Sequence, residues 1–172
     1  MSWIRKKKKY SKPKKLHDSV RRDEENITQK KYGLKNKREI WKVDSKLKKI
    51  KGRAKNLITK PKEQKNFFEK LGRIGLKVSS IEEVLALTRD NLLGRRLQSL
   101  VFKNGIAKTV KGARQMVVHK TILVNGKVVN IPSYIVPVEF EESIEIRLKQ
   151  KKKKGEKLIE IKDLGGENGK EE

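Results

Sequence analysis

The dipeptide Asn125-Gly126, set between Ile122-Leu123-Val124 and Lys127-Val128-Val129, constrains this chain more than any other short stretch in it. Both central residues of a tight hairpin turn need positive φ, which Asn and Gly adopt readily, and the flanking residues are mostly β-branched. A hairpin needs an apolar surface to lie on, and the residues just upstream provide one. Thr88 reads as the N-cap of a helix whose first turn is Arg89-Asp90-Asn91, whose apolar face is Leu93, Leu97, Leu100 and Val101, and which ends at Asn104-Gly105. Thr109 caps a second helix with Val110, Ala113 and Val117 facing inward. So few residues separate the two helices that they must pack at an angle. After the hairpin, Pro132 argues against a long central strand, Tyr134-Ile135-Val136 reads as a short return strand, and Ile144, Ile146 and Leu148 alternate with Glu145 and Arg147 as in a half-buried strand.

Upstream of this module the periodicity is helical. Ile40, Val43, Leu47, Ile50, Ala54 and Leu57 step by three and four from Glu39 to about Ile58, ringed by lysines and arginines with Asp44 as the acid among them. A second helix fits Glu63 to Ile74, with Phe67, Phe68, Leu71 and Ile74 inward and Gly75 at its end. Ser80-Ile81-Glu82-Glu83 is a capping box that opens a short third helix. Residues 1–31 carry the run Arg5-Lys6-Lys7-Lys8-Lys9 and few apolar side chains, so on their own they cannot offset the entropy of ordering. The end of the chain is basic, then rich in Gly and Glu, with Leu158, Ile159 and Ile161 suggesting one more short strand. The expected fold class is α+β: a helical domain plus a small module of two packed helices and a short twisted antiparallel sheet, with an extended basic N-terminal arm and a disordered C-terminal tail. The expected divisions are 1–31 for the arm, 32–92 for the helical domain, 93–148 for the module and 149–172 for the tail.

Charge points to the kind of partner. The chain has 46 Lys and Arg against 21 Asp and Glu, a net +25. Repulsion on that scale favours a polyanionic partner, and nucleic acid is the obvious one. The first 60 residues hold 23 of the cations and 6 of the acids, so the electrostatic grip is concentrated upstream of the module. Cysteine is absent and the two histidines, His17 and His119, are far apart in sequence, so no metal-site spacing occurs. There is no phosphate-binding glycine loop, no convergent nucleophile and base, and no apolar run of membrane-spanning length. These features predict no catalytic residues, no metal, no cofactor, no small-molecule substrate and no membrane, with a cytoplasmic location. Aromatic residues are 5% of the chain, and the predicted sheet has no pair suited to stacking bases. That argues for a reader of shaped, phosphate-rich RNA over a single-strand platform.

Several short motifs then fall in order: Ala113-Arg114-Gln115, His119-Lys120, Val124-Asn125-Gly126 and Pro132-Ser133-Tyr134. The run from Arg95 to Val136 that holds them closely resembles the RNA-binding module of the small-subunit ribosomal protein S4 family. The upstream run from Tyr32 to Trp41 resembles the N-terminal signature of that family's archaeal and eukaryotic form, and the likeness covers roughly residues 5 to 150. It implies a structural constituent of the small ribosomal subunit that binds the five-prime domain of small-subunit ribosomal RNA early in assembly. It also implies neighbouring small-subunit proteins as partners, and a position near the messenger entry region. By that resemblance the module contacts are Arg95, Arg96, Lys111, Arg114, Gln115, His119, Lys120 and Lys127, and the upstream ones Lys35, Lys37, Arg38 and Arg53. Some relatives hold zinc through N-terminal cysteines, which this chain lacks, and Val110 stands where a basic residue often follows the helix cap. Two other readings use the same module: a free-standing RNA chaperone, and an accessory to RNA modification. The Tyr32 to Trp41 run weighs against both.

Overall fold

The computed structural model describes residues 9–15 and 17–147. The expectations for the Arg5–Lys8 part of the arm, for Leu148 and for the C-terminal tail therefore lie outside the described residues. Seven α-helices lie among those residues: α1 Ser19–Lys31, α2 Lys37–Leu57, α3 Pro61–Arg73, α4 Ile81–Ala86, α5 Arg89–Gly94, α6 Leu97–Lys103 and α7 Val110–Val118. Strands β1 Ile122–Val124, β2 Lys127–Val128 and β3 Ile144–Ile146 form one antiparallel sheet in the order β2-β1-β3. The architecture is thus mixed α and β with a small sheet, as the sequence predicts.

The apolar side chains collect into two clusters. In the first, Ile40 and Val43 of α2 meet Phe67 and Leu71 of α3, Val84 of α4 and Leu92 and Leu93 of α5. Phe67 is buried and Phe68 packs on the edge of this cluster, the core role that their spacing suggested. The second cluster joins Leu97, Leu100 and Val101 of α6 and Ala113 and Val117 of α7 to Ile122 and Val124 of β1 and Ile144 of β3. In the hairpin Val124 faces Lys127 across Asn125 and Gly126, whose φ values are 49° and 70°. On the other edge Ile122 pairs with Ile146 and Val124 with Ile144, which places alternate residues of β3 on one face.

Three local readings are corrected. The second half of the segment expected as an extended arm is helix α1, capped by the Asp18 carboxylate, which accepts from the Arg21 amide at 3.3 Å. What holds it is a buried carboxylate: Glu25, 3% exposed, accepts from Arg21 Nη1 at 3.1 Å and from Trp41 Nε1 at 2.9 Å on α2. The helix expected from Thr88 to Lys103 is broken at Arg96, whose ψ of 146° is extended. The break comes with the third correction: Tyr134–Val136 adds no strand to the sheet. Ile135 makes an isolated bridge with Arg96, while Tyr134 O accepts from Leu97 N at 2.7 Å and Pro132 O from Gln98 N at 3.4 Å. The first amides of any helix lack internal acceptors, and here the 132–135 strand-like segment supplies them to α6.

The helix ends otherwise obey sequence chemistry. Pro61 starts α3, where its missing N–H costs nothing. Ser80 Oγ accepts from Glu83 N at 3.2 Å, and Glu83 answers through the neighbouring Ser79 N at 2.7 Å. Two glycines make a contrasting test. Gly75 has φ +81°, and a Cβ there would overlap the Arg95 guanidinium, whereas a Cβ on Gly52, inside α2, meets nothing within 4 Å. Gly75→Ala is expected to lower stability by about 2 kcal/mol. Gly52→Ala is expected to raise it by about 0.5–1 kcal/mol. Urea unfolding of both variants checks the pair, and equal signs would contradict the geometry.

Candidate nucleic-acid interface

The twelve residues singled out from sequence fall into two groups that differ in what their side chains do. Lys111, Gln115, His119, Lys120 and Lys127 are exposed on the module. Lys111 and Gln115 are one helical turn apart on α7, and His119 is its C-cap, so these three share one face. Lys120 comes next with φ 61°, turning the chain into β1, and Lys127 opens β2 just beyond the hairpin turn. In the helical region Lys35 and Arg38 are exposed, and Arg53 is exposed with its Cζ 5.6 Å from the Phe67 ring centroid. Lys37 is half-buried, its Nζ 3.7 Å from Glu25 Oε2.

Arg95, Arg96 and Arg114 instead turn inward, to the junction between the two apolar clusters. Arg95 Nε donates to Ile74 O at 2.8 Å and Nη2 to Val136 O at 3.2 Å, and the guanidinium pairs with Glu141. Arg96 Nη2 donates to Glu39 Oε2 at 2.5 Å. Arg114 Nη2 donates to Glu39 Oε1 at 2.7 Å, and its Nη1 reaches Glu39 Oε2 and Gln98 Oε1, both at 3.2 Å. Glu39 sits in the first turn of α2, while the two arginines come from the start of α6 and the middle of α7. One carboxylate therefore ties the long helix to both helices of the module. Gln98, 1% exposed, completes the junction: its Nε2 lies 3.0 Å from Tyr32 O, 3.2 Å from Gly33 O and 3.1 Å from Val110 O. Burial alone would push the Glu39 carboxyl up, but hydrogen bonds from Arg114 and Arg96 outweigh it and hold the group below its ordinary value.

The structure also gathers cations that the sequence places around α2, on a polar face suited to phosphates, without singling them out as site residues. Lys42, Lys46 and Lys49 are exposed on α2 between Arg38 and Arg53. The steps 38, 42, 46, 49 and 53 are four, four, three and four, so all five share one face. That spacing was readable; what hid it was the abundance of lysine all round the helix. Among the described residues no group of three or more His, Asp and Glu could hold a metal ion.

Comparison with known proteins places this arrangement. The S4 domain family matches residues 95–139, the span from Arg95 through the hairpin to the turn before β3. Small ribosomal subunit protein uS4 of Methanosphaera stadtmanae is 40% identical over 146 residues, which cover 81% of this chain and 80% of that protein. Its counterpart in Thermoplasma volcanium is 38% identical over 147 residues, covering 80% and 74%. That of Methanococcus aeolicus is 43% identical over 122 residues, covering 66% and 69%. The likeness thus runs well past the module and takes in the long helix α2 that Glu39 ties to it. The chain belongs to the small ribosomal subunit protein uS4 family.

Proposed function

We propose that this chain is a structural constituent of the small ribosomal subunit, working in the cytoplasm as part of the ribosome. It binds the five-prime domain of small-subunit ribosomal RNA early in assembly and sits near the messenger entry region beside other small-subunit proteins. The observation that carries this reading is the similarity to uS4 proteins over four-fifths of the chain. The exposed cations supply the chemistry: Lys35, Arg38 and Arg53 on one side and Lys111, Lys120 and Lys127 on the other neutralise phosphates. Gln115 and His119 offer hydrogen bonds to sugar or base edges. Arg95, Arg96 and Arg114 act chiefly by fixing the module (93–148) against the helical domain (32–92), so that both basic surfaces meet one folded RNA. A free-standing chaperone needs only the module, and the likeness outside residues 95–139 favours the ribosomal reading over it.

The test is association with the particle. The protein is expected to remain in the pellet when small subunits are sedimented through a high-salt cushion, and to bind a five-prime-domain RNA fragment in preference to a three-prime-domain fragment. Release by the salt wash, or equal binding to both fragments, would overturn the proposal.

A further inference from the structure

Arg96 is the one Lys or Arg that is buried among the described residues, at 5% exposure. Glu39 takes its Nη2, but Nε and Nη1 are buried without a hydrogen-bond partner there. A guanidinium cannot shed its charge by deprotonation, so these N–H groups call for an acceptor that the described residues do not supply.

The side chain lines a cleft of about 600 Å³ between α2 and the 132–135 segment. Among the described residues its other cations are Lys9, Lys42, Lys46, Lys49 and Arg114, and Glu39 is its one carboxylate. Glu39 already accepts from both arginines, so the surplus positive charge has no counterpart in the cleft among the described residues. Lys46, exposed at its tip, registers the crowding: partial burial of its side chain along the cleft wall lowers its pKa, and the nearby charges of Arg96 and Lys9 lower it further. The cleft lies midway along the Arg38–Arg53 stripe, which at 1.5 Å per residue spans about 22 Å of helix. A lone anion in the cleft would leave both ends of that stripe without a counter-charge, whereas a polymer of phosphates would run along it.

We infer that this cleft receives one backbone phosphodiester of the bound RNA, with the Arg96 guanidinium shifting toward the cleft so that Nε and Nη1, shut off from solvent in the free protein, donate to the phosphate, and Lys42 and Lys46 closing over it from the rim. The inference rests on the RNA-binding reading and names a particular seat within it. Arg96 then has two tasks: one nitrogen holds the module to α2, and the other two read whether an RNA strand lies across the junction.

Full-length protein and the five-prime-domain RNA fragment test it. Neutralising the rim with Lys42→Gln and Lys46→Gln together is expected to weaken binding by about tenfold or more, the size of a charge-assisted hydrogen bond. The matched pair Lys62→Gln and Lys65→Gln, exposed on α3, is expected to cost much less. Ethylation interference is expected to find one phosphate whose modification blocks wild-type binding and adds nothing against the Lys42/Lys46 variant. The ¹⁵Nε resonance of Arg96 is expected to move on adding RNA and to stay nearly still in millimolar inorganic phosphate. Equal losses for the two variant pairs, with wild-type binding intact, would overturn the cleft and leave the RNA-binding reading standing. A resonance that responds to inorganic phosphate but not to RNA would make this a free-anion site and overturn the inference likewise. Failure of the wild-type chain to bind the fragment at all would bring down both.

Discussion

Glu39→Ala is expected to cost the folded chain about 3 kcal/mol in a urea titration at neutral pH, the low end of the loss caused by removing one partner of a buried ion pair. The size comes from the charges left behind. Arg96 would keep its charge at 5% side-chain exposure with no other carboxylate paired to it among the described residues, and Arg114, at 22%, would lose both of its contacts to Glu39. Arg114 is the more exposed of the two, so most of the penalty falls on Arg96. Glu39→Gln keeps an acceptor and should cost less than Ala. A Glu39→Ala protein within about 1 kcal/mol of wild type would mean that the carboxylate does not lock the module to α2.

The same lock has a pH signature. The folded Glu39 carboxyl lies below its ordinary value of 4.5, so the unfolded chain binds that proton more readily than the folded one. Its contribution is therefore complete above about 4.5 and disappears as pH falls through the lower, folded value. Acid titration of stability should show a step in that window for wild type that is missing in Glu39→Gln. A step of equal size in both would assign it to other carboxylates.

The periodic and capped parts of this fold were legible in sequence because their determinants are local. Thr109 Oγ1 accepts from Gly112 N, Ser80 Oγ from Glu83 N, and Asn125-Gly126 turns the hairpin, each within four residues of chain. The features that could not be read depend on partners far apart. Glu25 makes α1 a helix by meeting Trp41, 16 residues on, and Arg96 breaks its helix to meet Ile135 and Glu39. The site divides in the same way. Arg95, Arg96 and Arg114 carry charge like Lys111 and Lys127, and sequence has no means of telling a cation that faces solvent from one 57 residues away from its carboxylate. Glu39 was visible only as the start of a helix. In a chain so rich in lysine and arginine, a buried acid is the better marker of architecture, since each one must gather cations to be stable.

Affinity for the five-prime-domain fragment is expected to fall by about a thousandfold between 50 and 200 mM salt, as for a protein with roughly six phosphate contacts. The exposed cations of α2 and of the module are numerous enough to supply them. Replacing Lys111, Lys120 and Lys127 by Gln should weaken binding at every salt concentration and reduce the log–log salt slope by about 3 if each one touches a phosphate. Gln115→Ala should leave that slope unchanged, because an uncharged contact displaces no counterion. Arg114→Gln supplies the decisive contrast. Its guanidinium is committed to Glu39 and Gln98, so its loss should appear first as reduced stability and only weakly in the slope. If Arg114→Gln instead lowered the slope as much as each exposed lysine, the arginine would have to leave Glu39 when RNA binds, and the junction would be remade in the complex. Measuring both quantities on one set of variants thus separates the cations that hold the protein together from those that hold the RNA.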